Sequence, residues 1–123
     1  MGASDRPDFV NLIREYSNLG KTGPLWGCET GDLNATYLVL GSGDETPRHV
    51  NSAVDVIMVV LTGRGALTLN GHVHELSAGD VAVLRKGEER SLSAAEAPFS
   101  YVNIHKRRVL MPGDLPAQRR KPA

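Results

Sequence analysis

The sequence predicts an all-β domain, an antiparallel sandwich or barrel preceded by one short helix. Three observations carry that prediction. Beyond Trp26 the apolar residues fall in short runs separated by turn residues, with no helical spacing between them. Asn70-Gly71 stands between two alternating runs, and a two-residue type I′ turn needs positive φ at both central positions, which Asn-Gly supplies at least cost. Turn clusters recur at the short intervals of sheet proteins: Gly41-Ser42-Gly43-Asp44, Thr62-Gly63-Arg64-Gly65, Ser77-Ala78-Gly79-Asp80 and Lys86-Gly87-Glu88.

Taken in order, Phe9, Val10, Leu12, Ile13 and Tyr16 sit at helical spacing behind Pro7, with Gly20 as a stop, so the helix is expected there. Seven to eight short strands are expected after it. They are Trp26–Glu29, Ala35–Leu40, Asp55–Leu61, Gly65–Leu69, His72–Leu76, Val81–Leu84, Arg90–Ala94 and Phe99–His105. Trp26 and Cys28 on the first of these are expected to pack. The unbroken run Val56 to Leu61 predicts a strand covered on both faces, inside a closed barrel or at a subunit contact. Residues 1–24 are then a helix and lead-in, 25–110 the barrel, and 111–123 a flexible basic tail.

The 123 residues fit one domain with a real core. Fourteen basic and fourteen acidic residues cancel, leaving no global field to recruit nucleic acid or an anionic membrane. The basic stretches His105 to Arg108 and Gln118 to Lys121 lack the aromatic platforms of a nucleic-acid surface and read as a solvated strand end and tail. No apolar run approaches the roughly 18 residues of a membrane span, and the start of the chain carries no signal-peptide pattern, so a cytoplasmic location is expected. The single cysteine, Cys28, fits a reducing compartment.

The glycine spacing resembles that of the cupins. Their first motif, G-x5-H-x-H-x3,4-E-x6-G, is matched from Gly43 through His49, has Asn51 in place of the second histidine, and closes on Gly63. Their second motif, G-x5-P-x-G-x2-H, is matched in spacing by Gly79, Arg85, Gly87 and Arg90, with arginine replacing both the proline and the last histidine. The resemblance covers roughly residues 35 to 105 and implies a double-stranded β-helix, or jelly-roll, barrel that commonly pairs as a homodimer. For the acidic position the two spacings disagree. Counted from Asn51 it falls on Asp55; counted back from Gly63 it falls on Val56. One residue along a strand exchanges faces, and a β-bulge before Asp55 would restore it to the interior.

In metal-bearing cupins three histidines and a carboxylate hold a transition ion. Here the counterparts are His49, Asn51, Asp55 and Arg90, and an arginine offers no lone pair and repels a cation. The resemblance therefore implies a site whose metal set is largely replaced. No cofactor is expected; the alternative is a divalent transition metal held weakly by His49, Asn51 and Asp55. An arginine beside a histidine and an asparagine suits an anionic oxygen, so His49, Asn51, Asp55 and Arg90 are the expected ligand contacts. Arg90 paired with Asp55 as an internal ion pair is the competing arrangement.

Three functions follow. The first is metal-independent binding of a polar or anionic metabolite, with proton-transfer chemistry of the isomerase, lyase or cyclase kind and His49 as candidate acid or base. The second is a metal-dependent, dioxygenase-like enzyme using His49 and Asp55. The third is a non-catalytic sensor or structural dimer. Elsewhere, His72-Val73-His74-Glu75 reads as an exposed strand face, with Val73 and Leu76 buried. Tyr101, Asn103 and His105 share one face of the last strand, expected at solvent or at a dimer contact rather than in the barrel.

Overall fold

The computed structural model describes residues 8–107. Seven antiparallel strands form one continuous sheet: β1 Gly23–Glu29, β2 Leu33–Leu40, β3 His49–Val50, β4 Val56–Leu69, β5 His72–Ser77, β6 Val81–Leu84 and β7 Glu89–Lys106. The expected tail, 111–123, lies outside the described residues.

Two long strands build the double layer. The first half of β4 pairs with β6 and with the second half of β7, which in turn pairs with β2, and β2 with β1. The second half of β4 pairs with β5 and with the first half of β7, whose other neighbour is β3. Strands β4 and β7 thus run through both layers, and the core lies between them. It contains Val56, Met58, Val60, Leu67, Leu76, Leu84, Leu92, Phe99 and Tyr101.

The sequence reading separates what the fold joins. Thr62-Gly63-Arg64-Gly65 is not a turn but a bend inside β4, where the pairing with β7 shifts register. Glycine is required at both points. At Gly63, with φ of +78°, a Cβ would run into the carbonyls of Pro98 and Glu96. At Gly65 it would meet Ser93 O and the ring of Phe99. The same corner merges the two expected strands at the end of the chain into β7. Thr62 Oγ1 ties it, 2.7 Å from Pro98 O and 2.6 Å from Ser100 Oγ.

The β4–β5 hairpin is as expected. Asn70 and Gly71 have φ of +50° and +85°, the signs of a type I′ turn. The Asn70 amide also accepts a bond from Glu89 N at 2.9 Å, anchoring the hairpin tip to the start of β7.

A second cluster covers the outer face of β2 and β7, where Tyr37, Val39 and Val102 are buried beneath Leu12, Tyr16, Leu25 and Trp26. The expected helix is only a π-type turn over Ile13–Ser17; Phe9 is 92 % exposed and lies outside it. Cys28 is exposed rather than packed. The apolar run of β4 is covered fully on its inner face only, since Val56, Met58 and Val60 are buried but Ile57 is exposed beside Val81 and Val83. Among the described residues no helix is long and apolar enough to cross a membrane.

Candidate functional site

Residues directly opposite one another in a ladder project from the same face. Following that rule from the core residues outward identifies the interior wall. In the first half of β7 the inward residues are Arg90, Leu92 and Ala94; in the second half they are Phe99, Tyr101 and, by continuation, Asn103. Inward positions change from even to odd at the Ala95–Pro98 corner, where the β4–β7 register is irregular.

Arg90 is flanked by His49 of β3 on one side and Leu69 of β4 on the other. It is only 9 % exposed, and its Nη1 is buried with no hydrogen-bond partner among the described residues. Burial pulls the guanidinium below its ordinary pKa, against which Glu88 and Tyr101 act. Tyr101 is 2 % exposed, and burial pushes its hydroxyl up to about 12, against the opposing effect of Arg90. Both side chains therefore sit in a low-dielectric environment that disfavours their charged forms. Glu88 is engaged elsewhere, accepting from Arg85 N at 2.7 Å.

The other expected site residues have local duties. Asn51 Oδ1 accepts from Ala53 N at 2.9 Å and from Val54 N at 3.2 Å, an Asx turn that leads the chain into β4. Asp55 is exposed, and its Oδ1 accepts from Lys86 N at 2.8 Å, bracing the β6–β7 turn. No bulge turns it inward, and the Arg90–Asp55 ion pair is not formed among the described residues. His49 is exposed, with Nδ1 3.4 Å from Pro47 O. The structure thus brings His49 to Arg90 and leaves Asn51 and Asp55 as turn residues.

This donor set does not fit a transition metal. The Asn51 oxygen already serves two amides, Asp55 faces the solvent side of the 86–88 turn, and a guanidinium stands where the last histidine would ligate. No group of three His, Cys, Asp or Glu among the described residues is arranged to hold an ion.

Two interior residues go beyond the sequence reading. Tyr101 is buried on the inward face and Asn103, half-buried, continues it; Asn103 Oδ1 is buried with no hydrogen-bond partner among the described residues. Their shared face was visible in the alternation with Val102 and Ile104. Which face points inward depends on the change of phase at the corner. On β5 the stretch His72 to Glu75 is exposed and Leu76 buried, as expected, but Val73 is not buried: it is 66 % exposed.

Comparisons with known proteins agree with this architecture. Residues 36–105, more than half of the chain, match the family model described as a cupin domain. No curated protein matches the sequence. Among solved structures the chain is similar to a conserved protein with a double-stranded β-helix domain from Klebsiella pneumoniae, at 24 % identity and TM-score 0.71, covering 86 % of this chain and 89 % of that one. A cupin-2 domain protein from Shewanella frigidimarina is 21 % identical, with TM-score 0.67 over 80 % of this chain and 94 % of that one. KdgF from Halomonas sp. is 24 % identical, with TM-score 0.63 over 67 % and 74 %. The double-layered barrel and the family match over its strands together make this chain a member of the cupin family.

Proposed function

We propose that this cupin binds a small anionic metabolite inside its barrel, without a metal, and that Arg90 is the anion receptor. One observation carries the reading: a guanidinium buried on the interior wall with Nη1 left unmatched among the described residues. A buried donor of this kind is costly unless something completes it, and a carboxylate or similar oxyanion is the natural complement to a guanidinium fork. His49, opposite Arg90 in the ladder, is the candidate acid or base beside the bound group. The reading extends to a cytoplasmic homodimer. The lone exposed Cys28 supports a reducing compartment, and the exposed Ile57, Val81 and Val83 support a pairing face.

Calorimetric titration of the wild type and of Arg90→Met with acetate, butyrate and phosphate tests the reading. The expected result is a saturable heat for at least one of these anions in the wild type that is lost in the variant. Equal binding to both proteins, or none to either, refutes it.

A further inference from the structure

Arg90 Nη1 and Asn103 Oδ1 are both on the interior wall and both lack a partner among the described residues. The Tyr37 hydroxyl is also buried and unpartnered, but it lies in the outer cluster on the opposite face of the sheet. Asn103 stands between Thr36 of β2 and Met58 of β4; Tyr101, two residues earlier on the same face, stands between Leu38 and Val60. Arg90 is on the inward face of the first half of the same strand, opposite Leu69. A guanidinium, a phenol and a carboxamide therefore all stand on the inward face of β7, and the first two act on each other's ionisation. The side chains around them are Leu38, Met58, Leu92 and Phe99, with the hydroxyl of Thr36 beside Asn103.

On the reading of Arg90 as an anion receptor, we propose that Asn103 is a second ligand contact and that the ligand is a short hydroxy- or oxo-carboxylate. Its carboxylate meets Arg90 and the Tyr101 hydroxyl, and its second oxygen meets the Asn103 amide. A carboxamide both accepts and donates, so it serves a hydroxyl through Oδ1 or a carbonyl through Nδ2. The chain between the two oxygens lies against Leu38 and Met58.

The test compares butyrate, 3-hydroxybutyrate and acetoacetate by calorimetry on the full chain, in the wild type, Asn103→Leu, Asn103→Ala and Arg90→Met. Circular dichroism establishes that each variant is folded, and Asn103→Ala substitutes if the leucine variant is not. The wild type is expected to prefer one of the oxygenated acids over butyrate by about tenfold, the worth of one buried hydrogen bond. Either Asn103 variant is expected to erase that preference while leaving butyrate within about threefold. Equal affinity for all three acids in the wild type overturns the proposal while leaving the anion receptor intact. So does an Asn103 variant that weakens all three alike. Binding that survives in Arg90→Met, or no binding in the wild type, overturns the anion receptor and this proposal with it.

Discussion

Replacing Arg90 with methionine is expected to make the ligand-free protein more stable. Arg90 is 9 % exposed, and Nη1 forms no hydrogen bond that the substitution would break. Methionine keeps the stem that packs beside Leu69 and removes a desolvated charge. Relief of one unsatisfied buried donor is worth about 1–3 kcal/mol. Against it stands the loss of the attraction to Glu88, a partly exposed carboxylate, worth at most about 1 kcal/mol. The net gain is about 1–2 kcal/mol, in line with the effect of exchanging buried charges for apolar side chains. In a domain of this size that raises the melting temperature by roughly 3–8 °C. Differential scanning calorimetry in a weakly interacting buffer at neutral pH measures it. A melting temperature that falls by more than about 3 °C would refute the reasoning, since it would show that the guanidinium has a structural partner.

Two further outcomes follow from the same geometry. The unfolded Tyr101 ionises near its ordinary value of 10.0, whereas in the fold burial holds its proton until about 12. Across that interval the native state binds more protons than the unfolded one, so stability falls as the pH rises, by on the order of 3 kcal/mol in all. Urea midpoints at successive pH values from 9 to 11 should decline in the wild type and decline less in Tyr101→Phe; parallel curves would show that another group governs the alkaline transition. Asn51→Ala removes the acceptor of two amides and is expected to cost about 1–2 kcal/mol by urea denaturation while leaving butyrate affinity unchanged. An unchanged midpoint with weakened butyrate binding would place Asn51 in the ligand site instead.

Much of the fold was legible because turn chemistry is local. Asn70-Gly71 specifies its hairpin wherever it occurs, and the Val81–Leu84 strand is bounded on both sides by turn residues. The bend at Gly63 and Gly65 was not legible as a bend. A glycine that lets β4 pass close to Ser93 and Pro98 looks, in sequence, like a glycine that reverses the chain. At the site, Arg90 was legible from its motif position, and His49 from the same spacing. The fate of Asp55 turned on a single residue of register, which only the bond to Lys86 N resolves. Tyr101 and Asn103 depend on the phase change at the Ala95–Pro98 corner, beyond the last motif position, Arg90, and no local pattern encodes it.

The two halves of β7 keep opposite phase because of the few residues at the Ala95–Pro98 corner. This makes the lining of the barrel unusually sensitive to chain length at one place. Loss or gain of a single residue there would leave Arg90 and Leu92 where they are but rotate the rest of the strand, presenting Val102 and Ile104 to the interior in place of Tyr101 and Asn103. Related chains that differ by one residue in this corner would share the arginine and the fold yet present neither the phenol nor the carboxamide to the interior. Insertions and deletions at the corner are thus a route by which one barrel acquires a different interior lining without any substitution on the wall itself.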